Sequence, residues 1–330
     1  MPATTTQHRL ARTARRMTGE GRGVLAADES IATMSARLEA AGIPASADAR
    51  RDYRQLLLTA AGLGEHVSGI IVCDETFRQR LTDGRAFPDA AHDLGILPGI
   101  KVDTGTEPMD GTGTLLTRGL DGLDERLEEY AAEGAAFAKW RAVIAVDSAT
   151  PASVEVNAAA LAEYARLCQR HGIVPIVEPE VIADGEHAIT DCARVSRLAL
   201  HEVFTALTES GVDLSGTILK PSFVTPGLRA RSVSAKVVAT ITWDVLRSTV
   251  PEDMTGIAFL SGGHPTDDVC AYLAALNAVK GVPWYLTFSF GRALVNDALS
   301  TWAGSPANVT AAQRTLVERC RAAAQATSAA

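Results

Sequence analysis

The sequence predicts an α/β protein built as a single-domain (β/α)8 TIM barrel. Three observations carry that prediction. Eight short apolar runs recur along the 330 residues, helical stretches separate them, and ionisable residues gather near the carboxyl ends of the runs. Eight units in 330 residues average about 41 residues each, against about 30 for a minimal barrel unit, so the surplus fits loop insertions. A doubly wound open sheet is the rival arrangement.

The amino-terminal segment 1–20 carries Arg9, Arg12, Arg15 and Arg16 with no acid before Glu20, a faint likeness to a transit peptide. Leu10, Ala14 and Met17 on one face favour a first helix. The first two runs, 23–28 and 67–75, are followed by Gly-Ile-Lys-Val-Asp at 99–103. A helix is expected over 123–137, then the fourth run at 137–146. The next helix, 153–172, has Pro151 at its start and Gly172 at its stop. The fifth and sixth runs are 173–180 and 216–222, and a helix is expected over 235–250. The runs 256–263 and 284–292 complete the eight, and 305–330 is expected to be a carboxyl-terminal helix with a short tail.

Side chains two apart on a strand share a face. Lys101 and Asp103 are such a pair, as are Lys139 and Arg141, and Glu178 and Glu180. One face of a barrel strand meets apolar helices, where an unpaired charge is very costly. These charges must therefore point into the barrel near its carboxyl end, where barrel enzymes keep their active sites. Asp28, Lys220 and Ser261 join them from three further runs.

Lys220 lies in Thr-Ile-Leu-Lys-Pro without an adjacent charge in sequence. Beside Lys139, Lys101 or Arg141 at about 4 Å and an effective dielectric near 20, its ammonium form is disfavoured by roughly 4 kcal/mol. That brings a lysine pKa from about 10.4 towards about 7–8, and a neutral amine is what imine chemistry on a ketone requires. Glu178 or Glu180, raised by mutual repulsion, could shuttle the protons. The seventh run leaves through Ser261, Gly262 and Gly263, and the eighth through Ser289, Gly291 and Arg292 into a helix. Barrels often hold a phosphate after these two strands, on backbone N–H groups at a helix start. No P-loop and no GxGxxG supports a nucleotide.

Composition narrows the partners. Lys+Arg 31 against Asp+Glu 39 gives −8, which argues against non-specific nucleic-acid binding. No apolar run approaches the roughly 18 residues that span a membrane. Cys73, Cys168, Cys192, Cys270 and Cys320 are far apart, as expected of reduced thiols in a cytoplasmic protein. The seven histidines show neither HxxxH nor HxH, so no histidine-built metal site is expected.

Leu-Ala-Ala-Asp-Glu-Ser (25–30), Gly-Ile-Lys-Val-Asp (99–103), Gly-Leu-Asp-Gly-Leu (119–123), Phe-Ala-Lys-Trp-Arg (137–141), Ile-Val-Pro-Ile-Val-Glu-Pro-Glu (173–180), Leu-Lys-Pro (219–221), Phe-Leu-Ser-Gly-Gly (259–263) and Gly-Arg-Ala-Leu (291–294) together closely resemble class I fructose-bisphosphate aldolase. The match runs in order from about Gly21 to Ala312. The resemblance implies a barrel, usually a homotetramer, that cleaves fructose 1,6-bisphosphate reversibly into two triose phosphates with neither metal nor cofactor. It makes Lys220 the Schiff-base lysine, Glu178 the acid/base of the imine steps with Glu180 beside it, Asp28 the acceptor of the C4 hydroxyl proton, and Lys139 the group that holds hydroxyls and keeps the neighbouring lysine's pKa low. It places Ser261, Gly262 and Arg292 at one phosphate, and Arg37, Lys101 and Arg141 near the other. Ser222 stands where the family often has asparagine. Many members carry a tail ending in a tyrosine that helps protonate the enamine; the last tyrosine here is Tyr285, so Glu178 or a water is expected to serve. The alternatives are a lysine-dependent aldolase for another phosphorylated ketose, a metal-dependent aldolase, and a non-catalytic barrel scaffold.

Overall fold

A computed structural model describes residues 5–19, 21–109 and 113–328. Its strands are β1 (Gly23–Ala27), β2 (Val67–Val72), β3 (Leu97–Lys101), β4 (Thr106–Pro108), β5 (Leu115–Thr117), β6 (Phe137–Ile144), β7 (Val174–Val181), β8 (Ile218–Leu219), β9 (Gly256–Phe259) and β10 (Tyr285–Phe290). Eight of them close a parallel barrel in the order β1–β10–β9–β8–β7–β6–β3–β2, while β4 and β5 pair as an antiparallel hairpin inserted before β6. The open sheet is thereby excluded.

Alternation along each strand divides the apolar residues between two cores. Val24 and Ala26 of β1 face inward and Leu25 and Ala27 outward. The outward set packs against the surrounding helices, the covering that a parallel sheet requires. The inward set includes Ile71, Leu97, Phe137, Val174, Ile176, Ile218 and Ala258. The helix Thr5–Thr18 supplies Leu10, Ala14 and Met17 to this inner core, so it plugs the end of the barrel away from the strands' carboxyl termini. The expected segments 1–20 and 305–330 contain this helix and the helix Val309–Gln325; residues 1–4, 20 and 329–330 of those segments lie outside the described residues.

Close packing inside the barrel depends on glycine at two places. A Cβ on Gly99 would sit 2.2 Å from the Phe137 ring, and one on Gly256 would sit 2.3 Å from Thr18 Oγ1. Bulk from Phe137 and from the plug helix fills the space that those two residues leave.

The helix Pro151–Arg170 is held at its start by a reciprocal cap: Ser153 N donates to Thr150 Oγ1 at 3.2 Å and Thr150 N donates to Ser153 Oγ at 2.9 Å. It stops before Gly172, whose φ is +70°. The helix expected over 123–137 is shorter, Leu123–Ala132, because Gly134 turns the chain at φ +96° into β6. Several strands also end before their apolar runs do. Asp28, Asp103, Lys220 and Ser261 consequently sit one or two residues past a strand, in the loops at the mouth.

Candidate active site

Strand register assembles the site. Lys101 of β3 pairs with Lys139 of β6, and Arg141 of β6 pairs with Glu178 of β7. All four side chains therefore emerge on the inner face, above the apolar layers that Phe137, Val174 and Ile176 fill. A cavity of 430 Å³ opens there at the strands' carboxyl ends. Asp28, Arg37, Lys101, Lys139, Arg141, Glu178, Glu180, Lys220, Ser261, Gly262, Ser289, Gly291 and Arg292 all line it. The residues offered from the sequence for catalysis and phosphate binding thus reach one cavity, of a size suited to a small ligand.

At its floor the charges alternate. Asp28 Oδ2 lies 2.7 Å from Lys139 Nζ, Lys139 Nζ lies 3.1 Å from Glu178 Oε2, and Glu178 Oε1 lies 3.1 Å from Lys220 Nζ. Lys139, Glu178 and Lys220 are only 3–4% exposed. Burying one such charge alone would cost several kcal/mol (about 3–5 when a buried pair loses one partner), so the four groups are viable only together.

Burial pushes the Asp28 carboxyl up, but Lys139 and then Lys220 outweigh it and hold the group well below the usual carboxylate range. Glu178 behaves alike: burial raises it, Lys139 and Lys220 lower it, and the net direction is down. Lys139 is pulled down by burial and held well above its ordinary value by Asp28, Glu178 and Asp103. The expectation that repulsion between Glu178 and Glu180 raises the Glu178 carboxyl is therefore corrected. Glu180 is taken up by Arg141, whereas two ammonium groups contact Glu178. The expectation that Lys220 meets mainly cations also changes, because its contact at 3.1 Å is a carboxylate.

Around this floor stand further donors. Gly262 and Gly263 have φ of +55° and +90°, left-handed values that favour glycine, and they turn the chain after β9 at the cavity wall. Gly291 caps the helix Arg292–Trp302, whose first N–H groups have no partners within the helix. Ser289 Oγ is buried with no hydrogen-bond partner among the described residues. Serine hydroxyl, helix start and guanidinium together present neutral and cationic donors to one wall of the cavity.

The other cations are already engaged. Lys101 Nζ donates to the Asp103 backbone oxygen at 2.8 Å and pairs with its carboxylate. Arg141 pairs with Glu180. Arg37 pairs with Glu29 and donates to Asn296 Oδ1 at 2.8 Å, which sets it against the helix that Arg292 opens. Sequence reasoning missed Glu29 and the buried Arg54 behind it, which contact each other at 2.7 Å. Glu29 stood within the Ala-Ala-Asp-Glu-Ser motif and was available as a signal; Arg54 was not.

Fold and site together define an enzyme of the barrel class, with its ionised side chains at the carboxyl-terminal mouth. The sequence model of the family "Fructose-bisphosphate aldolase class-I" matches residues 9–330. A protein of Xanthomonas campestris pv. campestris described as "Probable fructose-bisphosphate aldolase class 1" is 46% identical over 317 residues, covering 94% of this chain and 95% of that protein. "Fructose-bisphosphate aldolase 5, cytosolic" of Arabidopsis thaliana is 44% identical over 322 residues, covering 96% and 90%. Among solved structures, the fructose-bisphosphate aldolase of Plasmodium falciparum, crystallised with TRAP and a small-molecule inhibitor, superposes with a TM-score of 0.96 at 41% identity, covering 98% of this chain and 95% of that one. The chain belongs to the class I fructose-bisphosphate aldolase family. Its reaction is the reversible aldol cleavage of fructose 1,6-bisphosphate to dihydroxyacetone phosphate and glyceraldehyde 3-phosphate, a carbon–carbon lyase reaction.

Proposed function

We propose that Lys220 carries the reaction as the imine-forming lysine, with Glu178, Lys139 and Asp28 moving the protons. The observation that bears most weight is the position of Glu178 between two lysines, 3.1 Å from each. When Lys220 gives its proton to Glu178, Lys139 still faces Asp28 and balances the remaining charge. Lys220 can then be neutral without leaving an isolated ion in the protein. Its lone pair adds to C2 of the ketose, the C=O π bond breaks, and the oxygen takes the proton that the newly bonded ammonium nitrogen gives up. A second proton from Glu178 releases that oxygen as water and leaves the iminium.

The iminium draws electrons from C3. Asp28, fixed by Lys139, accepts the proton of the C4 hydroxyl as the C3–C4 bond breaks, and the bonding pair becomes the enamine. Because the iminium at C2 takes up the electrons of the breaking bond, the C4 hydroxyl oxygen becomes the aldehyde oxygen and its proton passes to the carboxylate in the same step. Glu180 is proposed to hold Arg141 in place. Ser261, Gly262, Ser289, Gly291 and Arg292 are proposed for one phosphate, and Lys101, Arg141 and Arg37 for contact with the other. Glu178 or a water is proposed to return the proton to the enamine.

The test is borohydride reduction in the presence of dihydroxyacetone phosphate, followed by peptide mapping. Irreversible labelling at Lys220 is expected, and its loss in Lys220→Ala; a Lys220→Ala protein that is still covalently labelled would refute the assignment. We further propose a homotetramer and a cytoplasmic location. Family membership supports the first, and unpaired thiols together with relatives described as cytosolic support the second; cell fractionation checks the location. Among the described residues no helix is long and apolar enough to cross a membrane.

A further inference from the structure

The cations lining the cavity are not equally available to a ligand. No carboxylate pairs with Arg292 among the described residues. Arg37, Lys101 and Arg141, by contrast, each hold one: Glu29, Asp103 and Glu180. A phosphate arriving at those three must displace an anion that the protein itself supplies.

Of these three carboxylates, Glu29 is the one that meets a second cationic side chain among the described residues. One of its oxygens meets Arg37 Nη1, and the other lies 2.7 Å from Arg54 Nη2. Arg54 is 1% exposed, and its Nη1 is buried with no hydrogen-bond partner among the described residues. A guanidinium holds a carboxylate best through two parallel N–H···O bonds. Arg54 uses one arm on Glu29 and leaves the other unmet, an arrangement that is costly for a buried donor. The unmet arm and the shared carboxylate complement each other. If Glu29 releases Arg37, its freed oxygen can close the second bond on Arg54, and no charge is left without a partner.

We propose that Glu29 is a specificity-determining residue that acts as an internal counter-anion: in the empty site it is divided between Arg37 and Arg54, and when a substrate phosphate takes Arg37 it transfers wholly to Arg54. Arg54 is then a positioning residue, the resting place that makes the displacement cheap. Phosphate affinity at Arg37 is set by the difference between two carboxylate positions, and Arg37 faces a carboxylate when no ligand is present. The inference rests on the reading of Arg37 as a phosphate ligand.

The experiment measures KM for fructose 1,6-bisphosphate and the inhibition constant of inorganic phosphate in the full-length protein, the single variants Glu29→Gln and Arg37→Ala, and the double variant. Replacing the competing charge by a neutral amide is expected to lower both constants in Glu29→Gln by about three- to tenfold, with a smaller change in kcat. Arg37→Ala is expected to raise both, and in that background Glu29→Gln should change neither. If Arg37→Ala leaves both constants where they were, the reading of Arg37 is wrong. If Arg37→Ala raises them while Glu29→Gln raises them or has no effect, the counter-anion proposal is overturned and the reading of Arg37 survives. Should Glu29→Gln fail to fold because Arg54 loses its partner, the unaltered protein decides. A crystal structure with the bisphosphate bound is expected to show both Glu29 oxygens on Arg54, and Glu29 still on Arg37 there would refute the transfer.

Discussion

Lys139 is the cation on which the proposed proton relay depends. It is the cation through which Asp28 and Glu178 both stay ionised in a buried floor. In Lys139→Met, burial remains while the largest opposing attraction disappears, so both carboxyls must titrate at higher pH. The acid limb of the kcat/KM profile is therefore expected to move upward by about one pH unit or more. The rate at the optimum should fall by about 10²-fold or more. An acid limb that stays in place would show that neither carboxylate governs it. The residues of this relay were legible in the sequence because charge is rare inside an apolar run, and a spacing of two fixes a common face. Their electrostatics were not. Sequence proximity offered Glu180 as the neighbour of Glu178, whereas the actual neighbours, Lys139 and Lys220, arrive from β6 and from the end of β8. Arg54 was hidden for a similar reason. Three arginines lie in the helix Ala47–Leu58, and only packing against the rest of the barrel distinguishes the buried one.

The helix Thr5–Thr18 shows how one element serves the site without touching it. Its Leu10, Ala14 and Met17 complete the inner core. Leu10 is 2% exposed, and its truncation would leave a cavity at the closed end of the barrel. Leu10→Ala is expected to destabilise the protein by about 2–5 kcal/mol in denaturant unfolding. Turnover at moderate temperature should be unchanged. A drop in kcat without loss of stability would mean that the plug reaches the mouth after all. The helical periodicity of this segment was legible, but its seat inside the barrel was not, since an amphipathic face does not say which apolar surface it meets. The hairpin of β4 and β5 also escaped notice, because strands of three residues carry no period to detect. The polar residues at six strand ends, by contrast, were sufficient to orient the barrel.

For the chain as a whole, the excess of acidic residues, −8, coexists with a mouth rich in cations. Net charge described the exterior and was a poor guide to an interior site. The proposed homotetramer gives a mass of about four times 34.7 kDa in light scattering at micromolar concentration. A mass near that of one chain would remove the proposal and leave the chemistry of the single barrel untouched. The inner core and the ionised floor share the same strands yet meet at a sharp boundary, with Ile176 and Phe137 below and Glu178 and Lys139 above. For an engineer, this boundary separates two adjustable quantities. Heat resistance can be raised from beneath, by refining the plug and the layer it touches, while sugar-phosphate selectivity is retuned from above with a different set of substitutions.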